Sequence, residues 1–408
     1  MSLRRVVITG LGVVSPFGNG MAELMKGLGE GRSTVRYMEG WDRYVGLQSL
    51  VGAPVELRDE KRIPRQKRRS MGRMSIFAAQ AADEALADAG INLADEDPWR
   101  VGCVIGSTMG SAKSINDTFE TMLPDLDLSK LSSTMFFQCM SHTAAANVAQ
   151  YLGLNGTVMA PAAACASALH ALGTGYDLIR LGRQDLLLCG GAEELHPTVT
   201  GSFDILFATS TRYNDRPELT PRPFDKDRDG LVCGEGCGLL VLEDYERAMK
   251  RNATIYAEVV GYCTTANGLH VSQSNRASMV ACIGQALDEA GVKPDQVDYI
   301  NAHATATMQG DQEEAEAIRD IFGATVPVSS LKGYIGHTLG ASGSIELAAT
   351  LGMMARGEIF PTLNLEEVSP ECEGIQHLLE PLGKRVNTIV KNGFAFGGIN
   401  AALVCRRV

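Results

Sequence analysis

The chain has 408 residues, of which 45% are hydrophobic and 21% charged, enough apolar material for a large core or two packed cores and too little charge for a disordered chain. Its 37 basic and 48 acidic residues give a formal net charge of −11, which argues against a general nucleic-acid binder and against a protein held on anionic lipid by charge alone. The ten cysteines carry no dense disulfide spacing, so the expected setting is a reducing compartment, the cytoplasm.

In chain order, Arg4 and Arg5 precede the run Val6-Val7-Ile8-Thr9-Gly10-Leu11-Gly12-Val13-Val14. This run is β-branched and broken by glycine, so it reads as a first buried strand and not as a signal peptide. Gly10-Leu11-Gly12 matches a dinucleotide fingerprint only in part, because Ser15 stands at the sixth position and Pro16 follows. No stretch is long and apolar enough to insert in a membrane. Lys61, Arg62, Arg65, Lys67, Arg68, Arg69 and Arg73 form the one strongly basic segment. A helical pattern then ends at Ala85-Leu86-Ala87-Asp88-Ala89-Gly90, and the strand-like Val101-Gly102-Cys103-Val104-Ile105-Gly106 follows.

The same sequence of events returns later. Ala286-Leu287-Asp288-Glu289-Ala290-Gly291 ends a helix, and Val297-Asp298-Tyr299-Ile300-Asn301-Ala302 follows. Ile255 to Gly261 opens the second half as Arg5 to Gly10 opens the first. Strands alternating with helices imply mostly parallel sheets covered by helices, and two such halves imply an α/β fold of five layers, α/β/α/β/α. The halves are residues 1–250 and 251–408. No proline-rich or serine-rich linker parts them, so they are expected to share one interface.

Four segments carry chemistry. Thr157-Val158-Met159-Ala160 leads through Pro161 to Ala162-Ala163-Ala164-Cys165-Ala166-Ser167, and an apolar helix follows. A cysteine at a helix start is expected to favour thiolate, and its small neighbours admit a substrate. Asn301-Ala302-His303-Ala304-Thr305-Ala306-Thr307 puts a histidine and two hydroxyls at a strand end, where α/β folds place chemistry. Ser330-Leu331-Lys332-Gly333-Tyr334-Ile335-Gly336-His337 sets a lysine and a histidine five apart in a glycine-rich turn without a P-loop pattern. Asn392-Gly393-Phe394-Ala395-Phe396-Gly397-Gly398-Ile399-Asn400 is a loop whose backbone N–H groups suit an oxyanion hole or a plain tight turn. Cys233 and Cys237 have neither a histidine close in sequence nor a second cysteine pair, so they are not read as a metal site.

Together these segments resemble the β-ketoacyl-acyl-carrier-protein synthases of the elongating type I and II kind, from the first strand to Val408. The resemblance implies a thiolase-like fold and a homodimer. It implies that Cys165 carries the acyl chain as a thioester, and that His303 and His337 bind the malonyl thioester carbonyl and drive decarboxylation. Lys332, Asp311 and Glu314 would support the site. The N–H groups of Cys165 and Phe396 would form the oxyanion hole, with Phe394 in the gating loop. Thr305, Thr307 and Met109 would contact the pantetheine or the acyl chain, Met109 at the deep end of the pocket. An acidic acyl-carrier protein would dock at Arg65, Lys67, Arg68 and Arg69. No catalytic metal or redox cofactor is implied, since phosphopantetheine arrives on the carrier protein. Some relatives hold a structural monovalent cation, and Asn301 and Glu346 match part of that site.

Ala304, Ala395 and Ile399 depart from the family pattern and bear on the loop's freedom. A thiolase would add a second cysteine in the late glycine-rich loop, which has none. Initiating synthases use Cys-His-Asn, whereas this chain has His337. A non-catalytic chain-length partner would lack Cys165. The sequence is silent on acyl chain length and on whether the product enters fatty acids or polyketides.

Overall fold

The computed structural model describes residues 3–408. The first half contributes strands β1 (Val6–Ser15), β2 (Val101–Gly106), β3 (Val158–Met159), β4 (Leu186–Glu193) and β5 (Gly236–Asp244). Its long helices are α1 (Arg73–Asp88), α2 (Thr143–Leu152) and α3 (Ser167–Arg180). The second half contributes β6 (Ala257–Ala266), β7 (Tyr299–Asn301), β8 (Pro327–Ser329), β9 (Thr388–Ala395) and β10 (Ile399–Arg406). Its helices are α4 (Arg276–Ala290), α5 (Met308–Phe322) and α6 (Ser342–Arg356).

The strand order β1-β5-β4-β2-β3 of the first half recurs in the second as β6-β10-β9-β7-β8, with the short strand Gln376–His377 added outside β8. In each half the last strand runs antiparallel to its neighbours and the others pair in parallel. The two sets join where β1 and β6 pair antiparallel, Val6 with Val259 and Ile8 with Ala257.

Alternation along the strands builds the layers. On β5, Leu239 and Val241 pack with Phe77, Ala81 and Val148 of α1 and α2, while Leu240 and Leu242 face the central core with Leu169, Leu172, Leu347 and Leu351 of α3 and α6. On β10, Leu403 faces that same central core, and Ala402 and Val404 pack with Ile283, Leu287 and Ile318 of α4 and α5. The five layers expected from sequence are therefore present, with α3 and α6 sandwiched in the middle.

Glycine at β1 serves this packing. A Cβ on Gly12 would lie 1.9 Å from the Ala81 carbonyl oxygen, and one on Gly10 2.2 Å from that of Ala85. Gly261 of β6 meets the Ala286 oxygen of α4 in the same way, at 2.2 Å. Close helix approach accounts for the partial dinucleotide pattern, and its repeat marks the duplication. Cys233 and Cys237 lie in different apolar clusters and make no joint metal site. Among the described residues, no helix is long and apolar enough to cross a membrane.

Candidate active site

Cys165 lies two residues ahead of α3. Ser167 fixes the turn that presents it: its Oγ accepts from the Ala163 N–H (2.9 Å) and donates to the Ala164 carbonyl (2.7 Å). Ala164, just before the cysteine, has φ 47°, in the left-handed region that costs a residue with a Cβ roughly 1–3 kcal/mol. The same strain recurs at Ala306 (φ 70°) after His303 and at Leu339 (φ 48°) after His337. Non-glycine strain is thus placed beside all three reactive side chains.

His303 follows β7 directly. Glu314 holds its loop, accepting from the His303 N–H (2.8 Å) and the Ala304 N–H (2.6 Å). Asp311 accepts from the N–H groups of Thr305 (2.9 Å), Ala306 (3.1 Å) and Phe224 (2.8 Å). Both acids are buried on α5, and burial raises both pKa values, Asp311 to about 7. His337 is tied by backbone to the first half, its N–H donating to Val232 O (2.7 Å) and its carbonyl accepting from Gly234 N–H (2.8 Å). The site is therefore built across the interface between halves.

The Cys165 sulfur and a ring nitrogen each from His303 and His337 lie within 4.8 Å of one another, all three residues buried. The imidazoles meet edge to face at 5.2 Å. Among the described residues, neither ring nitrogen of His337 has a hydrogen-bond partner. Burial first, then the Lys332 charge, holds both histidines well below their usual pKa, so both are neutral near pH 7. A narrow pocket opens onto these groups, lined also by Thr305, Thr307, Phe394, Phe396, Phe203 and Met279. Phe203 stacks on Phe396 at 5.8 Å.

Two expectations need correction. Burial outweighs the helix start at Cys165 and pushes its thiol up to about 12 despite the nearby Lys332, so the resting group is a thiol and not a thiolate. Met109 is not among the residues lining this pocket of the single chain. Glu193 accepts from the N–H groups of Thr108 and Met109, and the Met109 side chain stands 40% exposed at the surface of the single chain. Asn301 Oδ1 is buried without a partner among the described residues, but a monovalent cation beside it and Glu346 does not fit, because each Glu346 oxygen already carries an ammonium group. Lys332 Nζ donates to Oε1 (2.8 Å) and Lys391 Nζ to Oε2 (2.5 Å). Burial alone would raise Glu346, but the two lysines bring it to about 2; burial lowers Lys391 to about 8.

The departures at Ala304 and Ala395 cost little, because neither has positive φ. The left-handed backbone of the late loop falls on Gly397 (φ 87°) and Gly398 (φ 69°), and a Cβ on Gly398 would collide with Asn267 at 2.0 Å. Ala395 and Ile399 simply close the β9–β10 hairpin. Sequence reasoning missed Lys391, Ser167 and Glu193. In the basic segment, Arg65 and Arg69 are exposed and make no ion pair among the described residues. Lys67 Nζ is held by Gln150 O (2.5 Å), and Arg68 lies 3.9 Å from Glu60.

Two sets of strands in matching order around a buried Cys-His-His centre define a thiolase-like condensing enzyme. Residues 3–248 match the β-ketoacyl synthase N-terminal domain and residues 256–366 the β-ketoacyl synthase C-terminal domain, and the chain belongs to the β-ketoacyl synthase family. It is 36% identical to 3-oxoacyl-[acyl-carrier-protein] synthase 1 of Escherichia coli over the full length of both chains. A β-ketoacyl synthase crystal structure from Burkholderia phymatum superposes with a TM-score of 0.95 at 43% identity, covering 99% of this chain and 100% of that one. A type II polyketide ketosynthase, solved in complex with its acyl-carrier protein and bound to a hexaketide, superposes at 0.92 with 32% identity over the full length of both chains.

Proposed function

We propose that the protein condenses an acyl chain held on Cys165 with a malonyl unit delivered by an acyl-carrier protein, giving a 3-oxoacyl thioester for fatty-acid or polyketide synthesis. The observation that carries the assignment is the buried meeting of one thiol and two neutral imidazoles, with both His337 nitrogens free of hydrogen-bond partners among the described residues. Cys165 attacks the incoming acyl thioester and the carrier thiol leaves with the proton. A neutral imidazole beside the sulfur suits taking up that proton. The malonyl unit then loses CO2. His303 and His337, as neutral N–H donors, stabilise the enolate oxygen that forms. The enolate carbon attacks the Cys165 thioester, and collapse of the tetrahedral intermediate expels the Cys165 thiolate, which takes a proton from solvent to restore the thiol. Among the described residues the N–H groups of Cys165 and Phe396 meet no acceptor on another residue, and both residues line the pocket, which supports an oxyanion role. Incubation with acyl donor and malonyl-loaded carrier protein is expected to yield one CO2 per 3-oxoacyl product; product without CO2 release rules the reaction out.

Residues 1–250 supply the nucleophile and residues 251–408 the histidines. The carrier protein docks at Arg65 and Arg69, two exposed cations of the basic segment that make no ion pair among the described residues. Opposite charge speeds encounter with an acidic partner, and salt weakens it. Arg65→Glu with Arg69→Glu should therefore raise the apparent KM for carrier protein at low salt and leave turnover at saturation unchanged. An unchanged KM at low salt places docking elsewhere.

The working unit is a homodimer. Strand β3 is an open sheet edge whose Val158 and Met159 are 40% and 44% exposed, and an open apolar edge favours pairing with a second copy. The ten free cysteines suit a cytoplasmic setting.

A further inference from the structure

The centre behind the histidines holds three charged side chains with no exposure at all, Lys332, Lys391 and Glu346. Among the described residues Glu346 is the only carboxylate that either ammonium touches, and both its oxygens are engaged: Lys332 and Ser342 share Oε1 (both 2.8 Å), and Lys391 holds Oε2 (2.5 Å). Lys391 is paired in register with Asn301 across β9 and β7. An added monovalent cation here would be a third positive charge beside a single carboxylate whose two oxygens each already carry an ammonium.

We propose that the Lys391 ammonium is a tethered cation that does in this chain what a bound monovalent ion does at the equivalent place in some relatives, so that folding and the active centre require neither Na⁺ nor K⁺. Lys391 is a positioning residue. It touches Glu346, Glu346 orients Lys332, and the Lys332 charge bears on Cys165, His303 and His337. A covalently attached cation has no dissociation constant, so the centre keeps its charge balance whatever the ionic composition of the medium.

Thermal unfolding tests this. In wild type the midpoint should be the same in KCl, NaCl and tetramethylammonium chloride at equal ionic strength. Lys391→Ser leaves space and an oxygen where the ammonium stood. Its midpoint should drop in tetramethylammonium and recover saturably with K⁺ or Na⁺. Lys391→Met fills the space without charge, and its drop should not recover. A saturable rise of the wild-type midpoint with K⁺ or Na⁺ overturns the proposal. So does an anomalous peak from Rb⁺ or Tl⁺ soaks within ligating distance of Glu346 or Asn301 in wild-type crystals, and so does a folded Lys391→Ser protein indifferent to both ions. If that variant does not fold, the two wild-type measurements decide.

Discussion

Glu346→Gln is expected to destabilise the protein by about 3–5 kcal/mol, the usual consequence of leaving a buried charge without its partner. Two ammonium groups, not one, lose their carboxylate, and none of the three side chains reaches solvent. Glutamine keeps the volume and offers one carbonyl oxygen to two lysines, so a cavity plays no part in the loss. Lys391, already lowered to about 8 by burial, should lose its proton more readily still, because the Glu346 charge is what supports it. The measurement is chemical denaturation of wild type and variant near neutral pH. An unchanged midpoint would mean that water reaches these groups and that the centre is not the closed charge cluster described above.

The second large effect separates the histidines from the cysteine. His303→Ala and His337→Ala should each lower malonyl decarboxylation by about 10²–10³-fold, the scale seen when one preorganised donor to a developing oxyanion is removed. Acylation of Cys165 should persist in both variants. Two neutral, buried imidazoles, one of them with both nitrogens unengaged, face a pocket that also holds the thiol. The readouts are CO2 release from malonyl-loaded carrier protein and the mass of the acylated enzyme. Wild-type decarboxylation in both variants would show that the imidazoles do not stabilise the enolate.

Much of this was legible in the sequence, for identifiable reasons. The echo of Ala85 to Gly90 in Ala286 to Gly291 gave away the duplication because both helices press small residues onto a glycine of the first strand in their half. Cys165, His303 and His337 stood out because each sits at a break between an apolar strand and a helix. What was not legible depends on distant partners. Lys391 interrupts the apolar run Thr388-Ile389-Val390, and such a lysine ordinarily reads as a strand residue facing water. Only Glu346, 45 positions earlier, explains its burial. A charged residue inside an otherwise buried strand is the signal that could have found it. The Cys165 thiol misled for the same reason. Local sequence shows the helix start that favours thiolate but not the burial that opposes it. Met109 follows a buried strand closely, yet Glu193, 84 residues on, holds its backbone and turns the side chain outward.

The central claim is that Cys165, alone among ten cysteines, accepts the acyl chain. Intact-protein mass spectrometry with peptide mapping, after incubation with acyl-loaded carrier protein, tests it most directly. The expected result is one acyl adduct on the Cys165 peptide in wild type, retained in His303→Ala and absent from Cys165→Ser, whose condensation activity is lost with it because an alcohol is a far poorer nucleophile near neutral pH. An adduct on any other cysteine, or full condensation by Cys165→Ser, would contradict it.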